Sequence, residues 1–257
     1  MLEVLGLTIY DDFAFIYASG DYPQFSQEMA NLLSSYLDTL DFRPKTLLDV
    51  ACGEGTFAIA MAKKKHDVTG IDQSKTMLRI AREKAKHANV KVDFHEMDMR
   101  QLKLSKSFDI VTCWFDSLNY LLTMDDLFST FNGIQQHLNT GGFFIFDLNT
   151  IHWLTTLAQR YAATIERETN EIFQVHRHTY DSETKIATFH LIAFLKENEC
   201  WVRRVDEIHY ERGYTLNEIR TSLQNTGLTE IASWGDFGQR LPVTADSKRV
   251  WFITKKE

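Results

Sequence analysis

A chain of 257 residues, 44% apolar and 25% charged, suits one α/β domain with a sizeable core and room for an inserted subdomain. The formal net charge of -7 does not favour a general nucleic-acid surface, and the run Lys63, Lys64, Lys65 reads as a solvated helix end. Cys52, Cys113 and Cys200 are widely spaced with no CxxC pair, which argues against a disulfide scaffold or a structural zinc site and points to a reducing cytoplasm. No basic leader precedes an apolar run, and no uninterrupted apolar stretch of about 18 residues occurs, so neither a signal peptide nor a spanning helix is expected.

The predicted elements follow in chain order. After the DYP turn at Asp21 to Pro23, Met29, Leu32, Leu33, Tyr36, Leu37 and Leu40 recur at helical spacing and predict an amphipathic helix. TLLDV after Pro44 predicts a short strand buried on both faces, followed by a helix over Thr56 to Lys65. DVTGID is a second strand ending at Asp72, and Ser74 caps the helix SKTMLRIAREKAKH. VKVDFHEMD and FDIVTCWF are the third and fourth strands, MDDLFSTFNGIQQHL a helix, NTGG a turn and FFIFDL the fifth strand. This alternation predicts a mostly parallel sheet with right-handed crossovers and helices on both faces. After about residue 160 the pattern changes. TIERETNEIFQVHRHTY, KIATFHLIAFLKE and CWVRRVDEIHYERG, separated by DSET and KENE, predict a three-stranded antiparallel meander. Helical period returns in TLNEIRTSLQNTG, followed by LTEIASW and the last strand RVWFITKK.

The stretch LLDVACGEGTF carries the chemistry. Its strand delivers residues to the carboxyl edge of the sheet, where open α/β sheets hold ligands. Gly53 and Gly55 permit a sharp turn and close approach to the backbone, ahead of the free N–H groups of a helix start. The pattern is GxG rather than GxGxxG, since position 58 is Ala58, and no GK[ST] follows, so neither a full dinucleotide fingerprint nor a P-loop is present. Asp49 and Glu54 would repel a pyrophosphate and attract an ammonium group. Asp72, at the tip of the second strand, suits ribose hydroxyls, with helix capping as its structural alternative. Asp98 ends the third strand and suits an adenine amino group, with the Met99 N–H meeting a ring nitrogen. Three acids at three strand tips beside a glycine turn indicate a nucleoside bearing an amine.

With these residues in view, the chain resembles the class I S-adenosylmethionine-dependent methyltransferases. LLDVACGEGTFAIAMA, VTGIDQSKTMLRIAREKA, VDFHEMDMRQL, FDIVTCWFDSLNYL and LNTGGFFIFDLNT carry the resemblance over roughly residues 44 to 150. It is similar to the small-molecule members with an antiparallel lid, including sugar N-methyltransferases, and YDDFAFIYASGDY resembles the same group. The implied fold is a three-layer α/β sandwich, with a mostly parallel seven-stranded Rossmann-like sheet and an inserted antiparallel meander. The implied division is a helical cap over the cofactor (1–43), the cofactor-binding domain (44–160), a lid or substrate subdomain (161–212), and the closing helix and strands (213–257).

The resemblance implies S-adenosyl-L-methionine as cofactor and S-adenosyl-L-homocysteine as product. Gly53, Gly55 and Asp49 would serve the methionine end, Asp72 the ribose, and Asp98 and Met99 the adenine; Ala51, Gln73 and Met77 join this set. Ala51 departs from a glycine common in relatives but is still small. Tyr17 and Tyr22 resemble N-terminal tyrosines that close over the cofactor, Tyr17 being also a catalytic candidate, and Phe115 would lie next to the sulfonium. Asp116 is the first candidate for acceptor binding or proton removal, with turn capping as its alternative, and Tyr120 walls the same cleft or merely packs. His176 and His178 share a strand face, as do His209 and Glu211; they line a substrate cavity, with His178 the catalytic candidate, or face solvent. HRH lacks further ligands for a metal, and none is expected.

The expected partner is a small-molecule acceptor with N or O as the methylated atom, and the chain is a monomer or homodimer. An RNA or protein substrate is the alternative, disfavoured for RNA by the acidic charge and by FDSL in place of an NPPY-like motif. A non-catalytic nucleoside-binding module would keep the same acids. A nicotinamide dehydrogenase would want a fuller glycine turn.

Overall fold

The computed structural model describes residues 10, 12–40 and 42–257. Residues 1–9, read above for a leader, lie outside the described residues, as do Asp11 and Asp41. Two helices, α1 (Phe13–Ser19) and α2 (Tyr22–Leu37), precede the first strand, α2 opening with Pro in its first turn. Then come β1 (Thr46–Val50), α3 (Thr56–Lys63), β2 (Asp67–Asp72), α4 (Lys75–His87), β3 (Asp93–Glu96), β4 (Phe108–Cys113), α5 (Met124–His137) and β5 (Leu138–Asn149). Next are α6 (Ile151–Arg160), β6 (Ala163–Glu168), β7 (Ile172–Asp181), β8 (Ile186–Glu197) and β9 (Cys200–Arg212). The chain ends with α7 (Leu216–Asn225), β10 (Leu228–Trp234) and β11 (Arg249–Lys256).

The hydroxyl cap expected at Ser74 is formed, and further hydroxyl caps start α5, α6 and α7. Ser74 accepts the Met77 N–H at α4, and Thr215 forms a reciprocal capping box with Glu218 at α7. The main sheet has seven strands in the order β10-β11-β5-β4-β1-β2-β3. β3, β2, β1, β4 and β5 pair in parallel, while β11 runs antiparallel to both its neighbours. Successive strand residues face opposite sides. Leu47, Ile110, Ile145 and Ile253 therefore pack on one face with α2, α3 and α4. Leu48, Val111, Phe144 and Phe252 pack on the other with α5 and α7. Both faces are covered, which is why the strands read as continuous apolar runs. Among the described residues no helix is long and apolar enough to cross a membrane.

The separate antiparallel sheet has four strands, β6-β7-β8-β9, where three were expected. The segment read as one long strand breaks at Thr169, whose hydroxyl accepts the N–H groups of Glu171 and Ile172 and turns the chain. This sheet packs against α1 through Phe13, Ile16, Leu191, Ala193 and Val205.

Strand order reverses direction of growth between β1 and β4. The carboxyl ends of these two strands therefore flank a topological switch point, and the crevice there is the place for a ligand. Gly55 is essential to the turn into α3. Its φ is +82°, and a Cβ there would lie 2.8 Å from Ala81 Cβ and 3.0 Å from Phe94 Cζ. Gly55→Ala is expected to lose roughly 2–5 kcal/mol from left-handed strain and overpacking, read as a lower urea midpoint. An unchanged midpoint would show that the α3–α4 contact yields.

Candidate active site

A cavity opens at the switch point. The tips of β1 and β2 contribute Asp49, Ala51, Cys52, Gly53, Glu54, Asp72 and Gln73 to its wall. Met77, Asp98 and Met99 continue it, and Trp114, Phe115, Ser117 and Tyr120 close it beyond β4. Tyr10 and Tyr17 cover it from the N-terminal segment.

The loop after β1 uses left-handed backbone at Ala51 (φ 56°) and Gly53 (φ 53°). Gly53 has open space where a Cβ would stand, so the backbone meets the cavity directly. Asp72 ties this loop to β2. It accepts the Gly53 N–H at 2.8 Å on one oxygen and the Ser74 N–H at 2.8 Å on the other. Burial raises the Asp72 pKa, opposed by these backbone donors. Asp49 is 2% exposed and accepts the Thr112 hydroxyl at 3.0 Å. Burial pushes its carboxyl up to about 8, helped by the negative Asp72 and Glu54, with the Thr112 bond acting against. Glu54 is held inside the turn by Lys84 and by the Thr56 hydroxyl at 2.8 Å. Asp98 caps a 3₁₀ turn and grips Arg100. Burial works to raise its pKa, but the Arg100 hydrogen bonds and charge outweigh it and leave the carboxyl below its ordinary value. The Trp114 indole N–H is buried without a hydrogen-bond partner among the described residues.

Beyond β4, Phe115 (φ 58°) and Asp116 (φ 53°) are consecutive left-handed residues, an arrangement that persists only when its surroundings hold it. The holder is Asp147 of β5, fully buried, which accepts the Phe115 N–H at 2.7 Å and the Asp116 N–H at 3.0 Å. Arg249 of β11 bridges Asp147 and Asp116, the latter at 2.6 Å. Glu211 of β9 lies within hydrogen-bonding reach of Asp116 and accepts the Asn149 amide at 3.0 Å. Burial first, then Asp116, holds Glu211 well above the usual carboxylate range. The buried Asp147 and the partly buried Asp116 thus share one guanidinium, with the buried Glu211 beside them.

Aromatic rings complete the lid. Tyr17 and Tyr22 stack at 4.8 Å, and Phe25 stacks on Phe115 at 4.7 Å. Behind Phe115 lies a second cavity, lined by Tyr22, Phe25, Glu166, Arg167 and Gln174 among others. One terminal nitrogen of Arg167 is buried without a hydrogen-bond partner among the described residues.

Of the residues singled out in the sequence, Tyr17, Asp49, Ala51, Gly53, Asp72, Gln73, Met77, Asp98, Met99 and Phe115 line the first cavity together. Gly55 shapes the turn from behind, and Tyr22 lies in the second cavity. Asp116 and His178 are not in the first cavity's wall. The Asp116 carboxyl is drawn to Arg249, and His178 Nδ1 bonds the Tyr161 carbonyl at 2.6 Å. His176 is engaged by Gln174 at 2.7 Å, and burial lowers its pKa to about 4, so it is neutral at pH 7. Among the described residues no group of three or more His, Cys, Asp or Glu is placed to hold a metal. Sequence reading missed Asp147, although a lone acid ending an apolar strand is the same signature as Asp49. It had no signal for Arg249, which reaches the site only through sheet pairing.

A family described as a methyltransferase domain matches residues 47–142. A putative methyltransferase of Geobacillus sp. (strain WCH70) is 32% identical over 212 residues, covering 82% of this chain and 85% of that protein. The dTDP-3-amino-3,6-dideoxy-alpha-D-glucopyranose N,N-dimethyltransferase of Streptomyces fradiae is 27% identical, covering 86% and 83%. The crystal structure of an S-adenosylmethionine-dependent methyltransferase from Clostridium acetobutylicum superposes with a TM-score of 0.79 at 26% identity, over 97% of this chain and 99% of that one.

Proposed function

The chain belongs to the S-adenosylmethionine-dependent methyltransferases, and from that premise we propose that it methylates an amine nitrogen of a small molecule. The observation that carries the choice of nitrogen is the excess of acids beyond β4: Asp147 and Glu211 are buried and Asp116 is partly buried, and among the described residues Arg249 is the cation paired with Asp147 and Asp116, which favours a cationic or hydrogen-rich acceptor. The relatives named as dTDP-amino-sugar N,N-dimethyltransferases agree with it.

The first cavity fits S-adenosyl-L-methionine. Asp49 would face its ammonium group, and the unpartnered Trp114 N–H would meet its carboxylate. Asp72 would use the lone pairs left by its two backbone donors for the ribose hydroxyls. Asp98 and Met99 would take the adenine. When bound, the cofactor supplies a methyl group already activated by its positive sulfur. The chain's part is to hold the acceptor nitrogen in line and to keep water out, and orientation of this kind lowers barriers by on the order of 7–11 kcal/mol in favourable cases. Tyr17 and Phe115 form the wall at that place. We assign residues 1–43 to a cap, 44–160 and 213–257 to the cofactor-binding sheet, and 161–212 to the acceptor lid. Within the second cavity the free Arg167 nitrogen suits an anionic group on the acceptor, away from the amine. The three free cysteines, two of them buried, suit a reducing cytoplasm.

The test uses methyl-labelled S-adenosylmethionine with a panel of aminated sugar nucleotides and their hydroxyl isosteres, read by mass spectrometry. Label on the amines is expected. Label on the hydroxyl isosteres, or on RNA or protein with none on the amines, would overturn the reading.

A further inference from the structure

A chain of hydrogen bonds leaves the first cavity through the lid. The Tyr10 and Tyr120 hydroxyls, both in the cavity wall, lie 3.0 Å apart. The Tyr120 hydroxyl is 2.9 Å from His209 Nδ1, and His209 Nε2 is 2.9 Å from Glu207. Glu207 also accepts the N–H groups of Tyr10 at 3.0 Å, Asp12 at 2.9 Å and Phe13 at 2.9 Å. The Glu207 side chain is 12% exposed, so the chain runs from the cavity to a group that reaches the protein surface. His209 itself is 2% exposed and cannot exchange protons with water directly.

We propose that Tyr120, His209 and Glu207 form a relay that carries a proton from the acceptor nitrogen to the surface. The proposal rests on the amine reading above. An alkylammonium must lose one proton before its lone pair can take the methyl group. In the relay, the nitrogen's proton passes to the Tyr120 oxygen as the Tyr120 O–H proton passes to His209 Nδ1. The His209 Nε2 proton passes to Glu207. Tyr120 ends as a phenol, the acceptor as a neutral amine, His209 as its Nδ1–H tautomer and Glu207 as a carboxylic acid, which loses its proton to water; the Nε2–H tautomer of His209 is restored by proton exchange between turnovers. The nitrogen then bonds the methyl carbon as the carbon–sulfur bond breaks, its electron pair staying on sulfur.

The polarity of the chain fits. Burial keeps Tyr10 and Tyr120 far above the ordinary phenol range, so both remain O–H donors. Burial opposes ionisation of Glu207, but the bonds from His209 and from the Phe13 and Tyr10 amides outweigh it and hold the carboxyl below its ordinary value. An ionised Glu207 requires a proton on Nε2, which leaves Nδ1 free to accept from Tyr120. The groups around His209 are Glu207 and Glu211 on its own strand, Tyr120 from the turn after β4, Tyr10 and the Phe13 ring from the N-terminal side, and His176 from β7. Tyr120 is the residue that would touch the acceptor; His209 and Glu207 act through it.

Two measurements test the relay. Nitrogen-15 histidine NMR of the protein with S-adenosyl-homocysteine is expected to show His209 as the Nε2–H tautomer, with the Nδ1 signal moving in Tyr120→Phe and the tautomer inverting in Glu207→Gln. A His209 signal indifferent to both variants overturns the relay, whatever the acceptor. In the second measurement, kcat is followed against pH with the best amine of the panel. Glu207→Gln, whose amide carbonyl still serves Asp12 and Phe13, is expected to lose on the order of 10²-fold below the amine's own pKa. It should approach wild type above that pKa, where the acceptor arrives without its extra proton. Tyr120→Phe should do the same, and it stands in if Glu207→Gln does not fold. An equal loss at every pH marks a structural role and overturns the relay while leaving the amine reading intact. Failure of every amine in the panel sinks the amine reading instead, and the NMR result then decides the relay alone.

Discussion

Arg249→Met is expected to destabilise the protein by about 3–5 kcal/mol, because it strands the buried Asp147, which has no other cation among the described residues. Asp147 is fully buried, and its only charged partner among the described residues is the Arg249 guanidinium, which also holds Asp116 at 2.6 Å. Water cannot replace the lost charge at Asp147. The local consequence follows from the backbone. Phe115 and Asp116 stay left-handed because both of their N–H groups are bound by Asp147. Each such residue stores on the order of 1–3 kcal/mol, which is released when the anchor loosens. Phe115 then leaves the wall between the two cavities, and methyl transfer is expected to fall further than stability alone explains. Urea denaturation checks the first effect. The double variant Asp147→Asn with Arg249→Met should cost less than the two single variants added together, since each single change removes the same pair. A loss below about 1 kcal/mol in Arg249→Met would show that the bridge does not hold this loop.

Asp49→Asn is expected to separate stability from binding. In the folded protein burial raises the Asp49 carboxyl from its ordinary 3.8 to about 8, so the folded chain keeps a proton that the unfolded chain releases between those values. The sign follows. Across that window the folded state binds more protons, so this residue's contribution to stability is complete at low pH and is lost as pH rises toward about 8. Asparagine has no such slope, and the variant without cofactor should be more stable than wild type near pH 8, by an amount that shrinks as pH falls. Cofactor affinity should move the other way. Losing a buried charge partner for the ammonium group costs about 2–4 kcal/mol, or roughly 30- to 1,000-fold in Kd. Binding to wild type should also release a proton from Asp49, which calorimetry in buffers of different ionisation enthalpy detects. Unchanged affinity in Asp49→Asn would place the ammonium elsewhere.

The strand tips were legible because their chemistry is local. Asp49, Asp72 and Asp98 each end an apolar run, and a carboxylate at that place has few purely structural uses. The glycines announced the turn, and Gly55 has its packing reason in Ala81 and Phe94. The antiparallel sheet was read with one strand too few because Thr169 breaks a segment whose alternation gives no warning. Asp116 stands just beyond the fourth strand and so reads as a candidate for acceptor binding or proton removal, with turn capping as its alternative. Arg249, which claims it, is 133 residues away.

By itself the sequence determined the alternation of strands and helices, the sheet edge where the ligand belongs and the acids that line it, since period, caps and turn residues act within a few positions. Only the tertiary structure decided which charges neutralise one another. It paired β11 with β5 and so brought Arg249 to Asp147, and it laid β9 over the site so that His209 meets Tyr120. The reason is that a buried charge or hydroxyl is governed by the groups within a few ångströms of it, and sheet pairing draws those groups from distant parts of the chain.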